Sequence, residues 1–122
     1  MPFAEPRPNR HWFHGFSQNP PLVVEVTREH GNVALTSFTV ANQDADAHFV
    51  SLRSRLDGTD DMWLLETLVP GEVTLHFPFP HPLMCGTGRS LVVIDEKPTG
   101  ALMPVTVVGY IWSPDDDPDK TD

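Results

Sequence analysis

The chain has a single cysteine, Cys85, in 122 residues, so no internal disulfide can hold it together and its rigidity must come from a packed core. It has no apolar run near the ~18 residues that a membrane-spanning helix needs, and no membrane partner is expected. The start, MPFAEPRPNRHWFHG, lacks the continuous apolar stretch of a secretory signal, which predicts synthesis without export. Basic residues are scarce: 8 Lys and Arg stand against 17 Asp and Glu, for a formal net charge of −9. Without a basic cluster the chain cannot neutralise a phosphate backbone, so nucleic acid is set aside as a partner. The acidity reads as solubility and mutual repulsion. Catalytic signatures are missing as well: there is no G-x-S-x-G elbow, no phosphate-binding loop and no H-E-x-x-H zinc pair. Neither an enzymatic activity nor a cofactor is expected.

What the chain does have is punctuation. Thirteen prolines and 8 glycines predict many short segments joined by turns, and 39% hydrophobic with 20% charged residues predicts one globular domain. Residues 1–21 carry Pro2, Pro6, Pro8, Pro20 and Pro21 around Trp12, Phe13 and Phe16, and read as an extended arm with an aromatic knot that anchors on its own domain or a partner. Residues 22–112 read as the folded domain and residues 113–122 as an acidic mobile tail.

Within 22–112 the apolar residues mostly alternate, the period of a half-buried strand. Leu22, Val24 and Val26 share one face. In VALTSFTVANQ the phase breaks, with Val33 and Leu35 on one face and Phe38 and Val40 on the other, which predicts a bulge near Thr36 and Ser37. In HFVSLRSRL, Val50, Leu52 and Leu56 are expected inside and Phe49, Arg53 and Arg55 outside. Asp57 to Asp61 reads as a hairpin loop. MWLLETL is apolar on both faces around Trp63 to Leu65, the pattern of a central strand. Val69 to Glu72, VPGE, reads as a type II turn with Gly71 left-handed. The next strand places Val73, Leu75, Phe77 and Phe79 on one face and should end at Pro78, Pro80 and Pro82, which lack ladder donors. RSLVVIDE and LMPVTVVGYIW complete the set, the latter with Val105 and Val107 inside and Tyr110 and Trp112 opposite. About eight strands separated by turns at short spacing predict an all-β antiparallel sandwich of the jelly-roll kind, the arrangement that covers most edges.

Few residues suggest chemistry. His11 and His14 have a spacing seen in metal sites, yet no second ligand pair accompanies them, and no metal is expected. The aspartates of DGTDD and DDDPD lack EF-hand spacing and read as solvated surface. Cys85 carries no cue for a lowered pKa. Phe49, Trp63, Tyr110 and Trp112 could form a stacking platform for glycans, with oligomer packing as the plainer alternative, and His76 should project outward where it could meet a symmetry mate.

The segments VALTSFTVANQDADAHFVSLRSRLDGT, LVPGEVTLHFPFPHPLMCGTGRSLVV and PVTVVGYIW, over about residues 33–112, together resemble small β-sandwich accessory proteins of tailed-bacteriophage particles. The shared features are the V-x-N strand end, the proline–glycine turn, the F-P-x-P-L corner, the G-x-S-L-x-V strand and the closing V-x-G-Y strand. The resemblance implies a non-enzymatic virion component, such as a head decoration protein, head fibre or tail adsorption module. Such a component binds the major capsid or tail protein and self-associates, commonly as a trimer. No catalytic residues carry over. The expected partner contacts are Trp12, Phe13 and Phe16, with Phe49, His76, Tyr110 and Trp112 as oligomer or glycan contacts. The alternative is a carbohydrate-binding module for cell-surface glycans.

Overall fold

The computed structural model describes residues 10–27, 30–56 and 60–113. These form eight strands and no helix: β1 (Arg10–Ser17), β2 (Leu22–Val24), β3 (Asn32–Ala41), β4 (His48–Leu56), β5 (Asp60–Val69), β6 (Thr74–Thr87), β7 (Ser90–Asp95) and β8 (Val105–Trp112). They assemble into two four-stranded sheets with the orders β1-β8-β3-β6 and β2-β7-β4-β5, every pairing being antiparallel. This is jelly-roll connectivity, in which strands distant in sequence become neighbours, the first pairing with the eighth.

The core lies between the sheets. Leu35, Phe38 and Val40 of β3, Val105 and Val107 of β8, Val50 and Leu52 of β4, and Leu91 and Val93 of β7 are buried there. The alternation that marked these strands is thus the alternation of the sandwich interior, each side chain contributing about 1.5–3 kcal/mol by leaving water. The phase break in β3 is a register shift between Leu35 and Ser37, seen in its pairing with both β6 and β8. It lets Leu35 and Phe38, an odd number of residues apart, face the same core.

Several expectations fail, and the failures are instructive. Residues 10–17 are not an arm: β1 is a sheet strand whose eight residues pair with β8. Alternation was hard to see there because its outward positions carry aromatics. Residues 1–9 and the tail from residue 114 lie outside the described residues, and so does most of the loop predicted at 57–61; Ser113, assigned to the tail, is buried. β5 is not central. It is an edge strand bonded only to β4. Nor do the prolines end β6, which runs 14 residues through them. This is tolerated because β6 is the edge of its sheet, where missing donors cost no ladder bonds, and its register with β3 slips between Pro78 and Leu83.

At residues 69–72 the left-handed residue is Glu72, at φ 59°, rather than Gly71. Gly71 is required for another reason: a Cβ there would run into the backbone carbonyl of Ala45. Leu56, expected inside, is exposed at the end of β4.

Candidate functional site

The register aligns side chains across the outer face of the β1-β8-β3-β6 sheet in rows. One row runs Trp12, Tyr110, Ala34, Met84; on one side of it lies Arg10, Trp112, Asn32, Thr87, and on the other, beyond the row of His14, Val108, Ser37 and Pro78, lies Phe16, Thr106, Thr39, His76. Trp12 meets Tyr110 edge to face at 5.0 Å between ring centroids, a geometry worth about 0.5–1.5 kcal/mol beyond burial. The Arg10 guanidinium sits 4.8 Å from the centre of the same Tyr110 ring. With Trp12 and Arg10 of β1 against its ring, Tyr110 is only 9% exposed, whereas Trp12 is 60% and Phe16 56% exposed, and Trp112 and Met84 are exposed on the same face. At the far side of the face, His76 Nδ1 lies 2.7 Å from Thr39 Oγ1.

Of the expected contacts, Trp12, Phe16, Tyr110, Trp112 and His76 therefore share one face. Phe13 does not. Strand parity turns it inward against the core, where Gly109 makes room for it: a Cβ on Gly109 would lie 2.9 Å from Phe13 Cζ and closer still to the Ala34 carbonyl. Phe13 is a packing residue, not an anchor. Phe49 does not join them either, since it lies on the opposite sheet.

The outer face of the β2-β7-β4-β5 sheet is built differently. Its row Val23, Val92, Arg53, Trp63 is capped by the Arg53 guanidinium, 4.0 Å over the Trp63 ring. That guanidinium also donates to Glu96 Oε1 at 2.6 Å, to Ser51 Oγ at 3.0 Å and to Asp61 Oδ2 at 3.4 Å. Arg55 donates to both oxygens of Asp61 at 2.6 and 2.9 Å. Hydrogen bonds from Ser51 and Arg53 hold the Glu96 carboxyl below its usual range, and Arg55 followed by Arg53 does the same for Asp61. The cations and anions neutralise one another, so this face spends its charge internally. The four rings expected to form a glycan platform are consequently divided, with Phe49 and Trp63 on one outer face and Tyr110 and Trp112 on the other.

A third cluster had no sequence signal. His48 is buried at the start of β4, with Nε2 2.8 Å from Asp44 Oδ2 and Nδ1 2.9 Å from Asp95 Oδ2. Two carboxylate acceptors require both ring nitrogens to carry protons, and their hydrogen bonds, Asp44 first, raise the imidazole above its ordinary 6.5. Asp44 also accepts from Thr99 Oγ1 at 2.5 Å; that bond, then His48, holds its carboxyl far below the carboxylate range. Nearby, the buried Asn42 donates through Nδ2 to the carbonyls of Asp46, Val69 and Pro70. The cluster ties the 42–47 loop to the 70–72 turn and the start of the β7–β8 connection. Every strong acceptor is occupied from within, which is the work of a fastener.

His11 and His14, three apart on a strand, project to opposite sides of β1 and cannot converge on one ion. Burial lifts the Cys85 thiol to about 12, so it stays protonated and unreactive. Among the described residues no group of three or more His, Cys, Asp or Glu is placed to hold a metal ion, and no helix is long and apolar enough to cross a membrane.

No protein-family model, no curated protein and no solved structure matches the chain.

Proposed function

We propose that the protein is a non-enzymatic structural subunit of a virus particle, a capsid-decoration or tail accessory protein, and that the outer face of the β1-β8-β3-β6 sheet docks it onto the major capsid or tail protein. The observation that carries this reading is the concentration of exposed rings on that face, Trp12, Phe16 and Trp112, held by strands of one hydrogen-bonded sheet. Aromatic anchors with polar neighbours are what binding hot spots are made of. Jelly-roll connectivity supports it by analogy, since capsid proteins use that fold, though lectins and cupins use it too.

Magnitudes favour a repeating partner. Covering three half-exposed rings contributes a few kcal/mol, while bringing two proteins together costs at least ~4 kcal/mol. One such contact is weak. Many copies on a lattice, linked to one another, hold by avidity.

Because β1 is part of the sheet, the test uses point changes rather than removal of the first residues. Mass spectrometry of purified particles should find the chain. A Trp12→Ser, Phe16→Ser double variant with unchanged circular dichroism should be recovered on particles at roughly a tenth of the normal occupancy or less. Full occupancy by that variant would sink the docking face, and absence of the chain from particles would sink the virion assignment.

A further inference from the structure

The segment MWLLETL has the composition of a strand buried on both faces, yet β5 sits at the edge of its sheet. Natural edges are protected by prolines, by charged side chains and lysines above all, by bulges or by being short. Two of the other three edges follow that rule: β6 carries Pro78, Pro80 and Pro82, and β2 is three residues long; the third, β1, also lacks proline and lysine but is the shorter strand, with eight residues, and carries Gly15. β5 has ten residues and neither proline nor lysine; Asp61 is held by Arg53 and Arg55, Glu66 and one bulge opposite Leu52 and Arg53 are its remaining protection among the described residues, and Met62, Trp63 and Leu68 are exposed. Among the described residues, no backbone hydrogen bond reaches β5 from the side away from β4.

We propose that β5 pairs antiparallel with β5 of a second copy about a two-fold axis, joining the two β2-β7-β4-β5 sheets into one continuous eight-stranded sheet. The register follows from side-chain parity. Pairing with β4 places Asp61, Trp63, Glu66 and Leu68 on the outer face and Met62, Leu65, Thr67 and Val69 toward the interior, with the phase broken by the register shift opposite Leu52 and Arg53. A two-fold between Leu64 and Leu65 sets Trp63 beside Glu66 of the partner subunit, Asp61 beside Leu68 of the partner subunit and Met62 beside Thr67 of the partner subunit. Outer residues then meet outer ones and inner meet inner. The phase break falls at the centre, so it is crossed once from each side, and all ten residues can pair. Registers shifted by one residue would set outer side chains against inner ones.

Charge agrees with the same register. No carboxylate faces another across the axis. Glu66 of one copy approaches Trp63 of the partner subunit and the guanidinium of Arg53 stacked on it, while Asp61 is already held by Arg55 and Arg53. On the other sheet the prolines of β6 prevent a second ladder, so the contact is one strand pair and stays isologous and closed.

The test is the mass of the intact chain in solution with hydrogen exchange at two concentrations. Sedimentation equilibrium should give twice the 13.6 kDa chain mass, and amides in 61–68 should exchange more slowly as concentration rises. Met62→Lys with Leu68→Lys, both at exposed positions, should weaken association by roughly 100-fold through like charges at the edge. A monomer at about 100 μM overturns the proposal, as does a dimer whose slowed amides lie outside β5 or one that survives the lysines. If the lysine variant does not fold, exchange of the unaltered chain still decides. No particle is needed for any of these readouts, so this pairing and the docking face stand or fall separately.

Discussion

The two outer faces of the sandwich carry the same kinds of residue and use them in opposite ways. On the β2-β7-β4-β5 face, Trp63 lies under Arg53, which is itself held by Glu96, Ser51 and Asp61. On the β1-β8-β3-β6 face, no guanidinium among the described residues covers Trp12 or Phe16; that of Arg10 lies on the Tyr110 ring, against which Trp12 packs edge to face. The exposures of Trp63 and Trp12 are close, 52% and 60%. Exposure alone therefore does not mark a binding surface. What separates the faces is whether the polar groups around the ring are already committed to one another.

That contrast can be broken at several points. The largest effect should come from the core that supports both faces: Phe38→Ala, removing a fully buried ring stacked on Phe77, is expected to cost about 4 kcal/mol. Urea unfolding should show it, and a cost under about 1 kcal/mol would mean that the sheets do not share one core.

His48→Ala should cost about 3 kcal/mol by leaving two carboxylates facing each other without their cation, while both outer faces keep their geometry. The pH dependence has a definite sign. The folded value of His48 is raised above 6.5, so its stabilisation is complete below that pH and is lost as pH rises through the folded value. Asp44, depressed from 3.8, acts in reverse: its contribution is present above that pH and is lost as pH falls through the folded value. Thermal melts between about pH 6 and 9 should show stability declining in the natural chain and a flatter profile in the variant.

On the braced face, Arg53→Ala should cost about 2 kcal/mol, since Glu96 loses its cation and Trp63 its cover. On the open face, Trp12→Ser should cost no more than about 1 kcal/mol and change docking instead. If the two costs were equal, the distinction between a braced and an open face would collapse.

How far the fold could be read in advance varied with the range of the forces involved. The bulge in β3 was legible because Val33, Leu35, Phe38 and Val40 record the change of phase in adjacent residues. β1 was not: its inward Phe13 and Gly15 alternate with outward Trp12, His14 and Phe16, and a strand with rings on both sides has no apolar period. The expected contacts Trp12, Phe16, Tyr110, Trp112 and His76 come to one face, and Phe13 is turned away from them, only through the pairing of β1 with β8 and of β3 with β6 and β8, while Phe49 is separated by lying on the other sheet. His48 gave no warning, because its second partner, Asp95, is 47 positions away.

The amino-acid order by itself determined that the chain is all-β, where most of the alternating strands run and which of their residues turn inward, and that no internal disulfide contributes, since alternation and turn chemistry act between near neighbours. Only the folded chain decided which strands lie at edges, which rings are braced and which carboxylates meet His48. Those outcomes depend on pairings between segments far apart in the chain, and local sequence carries no energy term for them until the sheets have formed.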